Sequence, residues 1–429
     1  MNGLVSVEFE YEIAYGFANF ASPNRGRLYS YNRPADTAAD RVDNLWRELP
    51  TLGRGVLYGK TFAFSIFIIL LSMTSSPDAR ITQLKDWLAA LPVDIRPTPE
   101  SWAPVSSDAS ARRYFRVSGP VSASGAPATL IAMDAPPPEK SREFVQVADL
   151  MTQAGLRVPQ ILAADVERGF MLLTDLGRQA YIDVLQGSRP DAQAQTLMLA
   201  ALDTLIDWQK ASRPDVLPEF DEAFLRREME LFPEWYLGRH LGLDPNGEAL
   251  RTILDPIFAL LVRSALAQPR VYMHRDFMPR NLMVAPLDGT QEAAAKRPGV
   301  LDFQDAVYGP IGYDPISLFR DALISWDEDF ELDCLVRYWQ NARAAGLPVR
   351  EDFAEFYREM EWMGLQRHLK VLGIFARLQY RDGKPRYLAD TPRFIAYARK
   401  VALRYRELAP LARLLDTIEG RGAQVGYTF

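Results

Sequence analysis

The chain has 429 residues, 48% hydrophobic and 24% charged, with a formal net charge of −6. That balance fits a soluble globular protein large enough for two lobes, and its mild acidity argues against a nucleic-acid partner. Cys334 is the only cysteine, and His240, His274 and His368 lie far apart, so an intramolecular disulfide and a cysteine-based zinc site are excluded and a reducing, cytoplasmic home fits best.

Residues 1–72 do not read like the remainder. They hold no sustained period and are broken by Pro and Gly until the apolar run Thr61–Met73. That run is shorter than the about 20 residues of a membrane span and lies too far inside the chain for an ordinary signal peptide. Two readings compete: a buried element or weak membrane contact, and an extension from an upstream start, with the working protein beginning at Met73. The second is favoured, because Ser76 or Asp78 can cap a helix on which Ile81, Leu84, Trp87 and Leu88 recur. Residues 1–72 are expected to be an atypical, poorly ordered extension without firm membrane association.

Residues 73–177 read as a small β-rich lobe. After the first helix comes a small-residue turn, Ser106-Ser107-Asp108-Ala109-Ser110, then strand-like Arg113–Val117 and Ala128–Met133. A helix follows over Arg142–Ala154, then short strands at Val158–Ile161 and Phe170–Leu173, and Thr174-Asp175-Leu176-Gly177 closes the lobe.

Residues 178–429 read as a large, mostly helical lobe. Helical spacing predicts elements over Asp191–Trp208, Pro256–Ala267 (capped by Asp255), Cys334–Ala345, Asp352–Arg377 and Pro392–Leu415. Glu228, Glu230, Trp235 and Tyr236 set aromatic faces beside carboxylates, a combination that suits a sugar ring, although aromatics on helices are read as core in preference to ligand contacts. Arg367, His368 and Lys370 form a basic cluster, read as a solvated face in preference to one turned toward a cleft. Asp314 is read as the cap of a helix starting at Pro315.

Between these helices lies VYMHRDFMPRNLMV, a polar excursion over Leu287–Arg297, and GVLDFQD. Three apolar runs, Val271–Met273, Leu282–Val284 and Val300–Leu301, read as short strands, which puts His274, Asp276, Asn281 and Asp302 at their ends. The spacing H-R-D-x-x-x-x-N followed by a strand ending in Asp is that of phosphoryl transfer of the protein-kinase type. Asp276 is the expected base for an attacking hydroxyl. Asn281 and Asp302 offer oxygens to Mg²⁺, a hard cation that keeps some of its waters. His274 is expected to shape the loop. Ser107, Asp108 and Ser110 become candidates for phosphate contact, and Thr174, Asp175 and Leu176 for the adenine edge. The strand lysine expected to hold ATP is missing, with Met133 in its place, and Arg113, Arg116 and Lys140 remain open as substitutes.

HRDFMPRNLMV, VLDFQDAVYGPIGYDPISLFRDA and QRHLKVLGIFARLQYRDGKPRYLADTPRF resemble the aminoglycoside phosphotransferase superfamily. More narrowly, they resemble bacterial kinases that phosphorylate the anomeric hydroxyl of N-acetylmuramate and N-acetylglucosamine. The resemblance covers residues 75 to 420 and implies an α+β, protein-kinase-like two-lobe fold, ATP with Mg²⁺, a small amino-sugar substrate, a monomer, and a role in recycling cell-wall sugars. The lactyl carboxylate of N-acetylmuramate calls for an arginine, with Arg280 and Arg320 as candidates beside Glu228 and Trp235 for the sugar. Two alternatives remain: a kinase of an aminoglycoside or choline-like cation, and an inactive nucleotide-binding scaffold, the latter motivated by the missing lysine.

Overall fold

The computed structural model describes residues 77–98, 102–107, 111–121, 127–185, 187, 190–285 and 297–421. The chain divides after Thr74, and these residues all belong to the part that runs from Ser75 to Phe429. The expectations for residues 1–72, for Asp108 and Ser110, and for most of the Leu287–Arg297 excursion lie outside the described residues.

The small lobe is built from helix α1 (Pro77–Ala89), strands β1 (Ala103–Ser107), β2 (Arg113–Val121) and β3 (Pro127–Asp134), helix α2 (Ser141–Gln153), and strands β4 (Ile161–Asp165) and β5 (Phe170–Thr174). The strands form one antiparallel sheet in the order β1-β2-β3-β5-β4. Because strand side chains alternate between faces, Phe115, Val117, Leu130, Ala132 and Phe170 pack with Leu84 and Leu88 of α1. Met133, Met171 and Leu173 point the other way and pack with Phe144, Val147 and Met151 of α2. Met133 is fully buried, so the position expected for a lysine is filled by core, where such a side chain contributes about 1.5–3 kcal/mol.

The large lobe comprises α3 (Tyr181–Leu185), α4 (Ala192–Lys210), α5 (Glu222–Leu231), a π-helical stretch Phe232–His240, α6 (Glu248–Ala267), strands β6 (Arg270–Met273), β7 (Leu282–Met283), β8 (Gly299–Val300) and β9 (Val307–Pro310), and helices α7 (Tyr313–Phe319), α8 (Glu328–Ala344), α9 (Phe353–Tyr380), α10 (Thr391–Arg404) and α11 (Ala409–Ile418). The fold is α+β: a small β-rich lobe, then a mostly helical one. Aspartates cap several helices: Asp191, Asp221 and Asp352 accept from the backbone N–H groups of Ala194, Phe224 and Glu355.

Helix α6 starts at Glu248 and carries Pro256 inside it, rather than starting at that proline. Leu250 and Leu254 extend the buried stripe of Ile257, Phe258 and Leu261, and this burial offsets the backbone bond that proline removes. The last predicted helix is two helices, divided where Tyr405 takes an extended conformation. Among the described residues no helix is long and apolar enough to cross a membrane.

Candidate active site

Two short antiparallel ribbons, β6 with β9 and β7 with β8, frame the site. The chain leaves β6 at Met273 and re-enters at Leu282 after a 3₁₀ turn, Pro279–Asn281. His274 is fully buried, with its ring edge-on to Phe277. Its Nε2 lies 3.0 Å from the Leu301 carbonyl and its Nδ1 lies 3.3 Å from the Asp276 backbone N–H. Those partners assign the proton to Nε2, because a carbonyl only accepts and an N–H only donates. Both ring nitrogens are engaged, so the imidazole shapes the loop.

Arg275 has φ +75°, a left-handed conformation that costs about 1–2 kcal/mol outside glycine. It is held by Asp314, whose Oδ1 accepts the Arg275 N–H at 2.9 Å and whose Oδ2 accepts the His274 N–H at 2.6 Å. Asp314 sits in the first turn of α7, which begins at Tyr313 and not at Pro315. Its carboxylate caps this loop rather than its own helix. Burial pushes the Asp314 carboxyl up, against the pull of His274 and the two N–H groups. Asp276 follows, half-buried.

Asn281 and Asp302 meet on the far side of the loop. Asn281 Nδ2 donates to the Asp276 carbonyl at 2.9 Å and lies 3.5 Å from Asp302 Oδ2. Asp302 has φ +64°, and Gln304 Nε2 donates to its Oδ1 at 2.9 Å. With Nδ2 committed to the Asp276 carbonyl, the Asn281 amide presents its oxygen, and one carboxylate beside it completes an oxygen donor pair that fits Mg²⁺.

Asn281 and Asp302 line a cleft of about 410 Å³ together with Thr174, Asp175, Leu176, Ile131 and Val105. The structure therefore brings the lobe-closing tetrapeptide and the metal candidates to one cavity. Arg116 joins them from β2, opposite Ile131. Its Nε lies 2.6 Å from Asp175 Oδ2, and its Nη2 donates to Asp175 Oδ1 at 3.0 Å and to the Gly177 carbonyl at 2.8 Å. Burial pushes the Asp175 carboxyl up, but the Arg116 bond and the Gly177 N–H outweigh it and hold the group below its usual range. Of the other candidate cations, Arg113 turns to the back of the sheet and pairs with Asp134, and Lys140 pairs with Asp305 at 2.5 Å.

The sugar candidates do not assemble as one group. Glu228 is buried between Arg275 at 2.5 Å and Lys370 at 2.9 Å. Burial raises its pKa, and the two cations more than reverse the shift. Glu230 pairs with Arg251, Tyr236 stacks on Phe232, and Trp235 packs against the helical core. Arg280 lines the cleft beside Asn281. Arg320 does not: it is 1% exposed, with Glu331 at 2.5 Å and Glu361 at 3.0 Å. Its charge is consumed inside the lobe, which removes it as a contact for a substrate carboxylate. Arg367, His368 and Lys370 are likewise buried rather than solvated, and burial holds His368 neutral, well below its ordinary range. Sequence reasoning missed Gln304 and the link from Glu228 to Arg275. The one available signal was adjacency of Gln304 and Arg275 to Asp302 and Asp276.

Residues 101–356 match the model of the phosphotransferase enzyme family. A Pseudomonas aeruginosa protein named N-acetylmuramate/N-acetylglucosamine kinase is 49% identical over 355 residues, covering 80% of this chain and 98% of that protein. A Neisseria meningitidis protein of the same name is 45% identical over 352 residues, covering 82% and 99%. Among solved structures, a Plasmodium vivax ethanolamine kinase superposes with a TM-score of 0.51 at 11% identity, over 86% of this chain and 95% of its own. At that identity the likeness bears on the fold alone, and it is to a kinase-like two-lobe fold.

Proposed function

The chain belongs to the phosphotransferase enzyme family, and from that membership we propose that it transfers the γ-phosphoryl group of ATP to the anomeric hydroxyl of N-acetylglucosamine and N-acetylmuramate. The product is the sugar 1-phosphate, returned to use in cell-wall recycling. The observation that carries this reading is the convergence of Asp276, Asn281 and Asp302 around one loop, with Asn281 and Asp302 on the wall of the cleft that holds Thr174–Leu176.

Asp276 accepts the proton of the attacking hydroxyl. An anomeric hydroxyl is more acidic than an ordinary alcohol, so modest general-base help suffices. Asn281 and Asp302 would hold Mg²⁺, which when bound neutralises charge on the transferring phosphate. Thr174, Asp175 and Leu176 face the adenine edge, in a segment fixed by Arg116. Ser107, Asp108 and Ser110, small polar residues of one turn in the sequence, are the candidates for phosphate contact. Arg280 is the remaining candidate for the lactyl carboxylate. The cationic-substrate alternative loses support because Glu228 and Glu230 are already neutralised by ion pairs.

The test is incubation with ATP–Mg²⁺ and a panel of N-acetylglucosamine, N-acetylmuramate, aminoglycosides and choline, read by phosphorus NMR. An acid-labile sugar 1-phosphate supports the proposal. Phosphorylation of a cation only, or nucleotide binding without turnover of any member, overturns it.

A further inference from the structure

Gln304 places a buried amide beside the metal candidates: it is 4% exposed, on the segment that follows β8. Its Nε2 donates to Asp302 Oδ1 at 2.9 Å and lies 3.4 Å from Asp305 Oδ2. Two carboxylates on one side assign the orientation of the amide, because its carbonyl oxygen in that place would meet only acceptors. Gln304 Oε1 is buried and, among the described residues, has no hydrogen-bond partner. An orphaned buried oxygen weakens a fold, and an apolar side chain of the same length would avoid that loss. Packing therefore gives no reason for an amide here; what the amide supplies is a donor at Asp302.

The surrounding segment keeps that donor in place. Phe303, between the two residues, is fully buried, and its ring centre lies 4.8 Å from that of Phe144 on α2. Asp302 has φ +64°, a left-handed conformation uncommon outside glycine, so backbone and amide together set the direction of the carboxylate. With Oδ1 held by Gln304, Oδ2 is the oxygen on the Asn281 side, 3.5 Å from Nδ2. Behind the amide, Asp305 Oδ1 lies 2.5 Å from Lys140 Nζ, and Lys140 is the residue before α2. A connected series thus runs from the small lobe to the metal pair: Lys140, Asp305, Gln304, Asp302.

We propose, on the reading of Asp302 as a metal ligand, that Gln304 is a positioning residue for it. Gln304 turns the Asp302 carboxylate so that Oδ2 works with Asn281, and the Lys140–Asp305 pair across the lobes keeps the amide from swinging away. Gln304 touches neither nucleotide nor sugar in this role; it acts through Asp302.

The readout is the factor by which Mg²⁺ tightens ATP binding, from calorimetry with the ion and with EDTA. By linkage it equals the factor by which ATP tightens Mg²⁺ binding. Gln304→Met keeps the length of the side chain and removes the donor. Its factor falls about tenfold, as is usual when a metal ligand loses its outer partner, while ATP binding in EDTA stays within about twofold of the parent. The thermal midpoint does not drop, because the orphaned oxygen is gone. Gln304→Asn, an amide one carbon short of Asp302, shows the same fall and carries the test if the methionine variant does not fold. Lys140→Met, at a half-exposed side chain, lowers the factor by less. Charge alone predicts the opposite there, since losing a cation near the site would tighten Mg²⁺, so a fall reports the support given to Gln304. A parental factor in both Gln304 variants, with or without a lower midpoint, overturns the proposal and leaves Gln304 a structural residue; a rise in Lys140→Met overturns it as well. A parental factor in Asp302→Asn would instead overturn the metal role of Asp302, a separate failure.

Discussion

Replacing Asp314 by alanine tests how the loop that carries Asp276 is held. Two buried backbone N–H groups, those of His274 and Arg275, lose a carboxylate acceptor at 2.6 and 2.9 Å. Hydrogen bonds to a charged group contribute about 1.5–3 kcal/mol each, which gives about 3–6 kcal/mol for the pair. Part of that is offset because the variant no longer buries a carboxylate, a cost visible in the raised pKa of Asp314. The net expected loss is about 2–4 kcal/mol of stability. Catalysis should suffer more specifically. With its N–H released, Arg275 can relax from φ +75°, and Asp276 moves with it. A displacement near 1 Å costs about 100-fold in rate. The assay pairs urea denaturation with steady-state kinetics at saturating ATP and sugar. The expected result is a lower midpoint, kcat down about 100-fold, and KM for ATP unchanged. Asp314→Asn, which keeps one acceptor oxygen, should fall between. Parental stability and parental kcat in the alanine variant would refute the reasoning, and a loss of stability alone would show that the loop is positioned by other contacts.

Three further outcomes are expected. Asp302→Asn removes the one full carboxylate of the proposed metal pair, so Mg²⁺-dependent strengthening of ATP binding, read by calorimetry with and without the ion, should drop at least about tenfold. Arg116→Met breaks the ion pair that fixes Asp175 and Gly177; a charge-assisted pair contributes about 1.5–3 kcal/mol, so KM for ATP should rise about tenfold or more. In the parent that pair should endure as pH falls through the ordinary carboxylate range, because Asp175 protonates below it, and KM for ATP should climb only in more acid solution. Gly373→Ala places a Cβ 2.3 Å from the Leu231 backbone carbonyl, forcing α9 off α5, and thermal denaturation should show a loss of about 1–3 kcal/mol.

Much of the site was legible because its chemistry is local in sequence. His274, Asp276 and Asn281 share one loop, and Asp302 lies just past β8, so spacing alone groups them. The strand over Arg113–Val117 was legible through its aromatic and β-branched character, whereas the one expected over Val158–Ile161 begins only at Ile161. What the sequence concealed was long-range pairing. Nothing adjacent to Asp314 announces that it reaches back to Arg275, and an aspartate before a proline reads equally well as a helix cap. Arg320 and Lys370 show only a cation on a helix; that each is buried depends on Glu331, Glu361 and Glu228, which arrive from other elements. Pro256 misled for a related reason: a local rule about prolines gives way when the helix around it buries Leu250 and Leu254.

The central claim is that Asp276 serves the chemistry and not the nucleotide. Its most direct test is Asp276→Asn, measured for sugar 1-phosphate formation and, in parallel, for ATP–Mg²⁺ binding by calorimetry. Turnover should be abolished while ATP binds nearly as well as to the parent. Persistent turnover, or loss of ATP binding together with activity, would contradict the role assigned to Asp276.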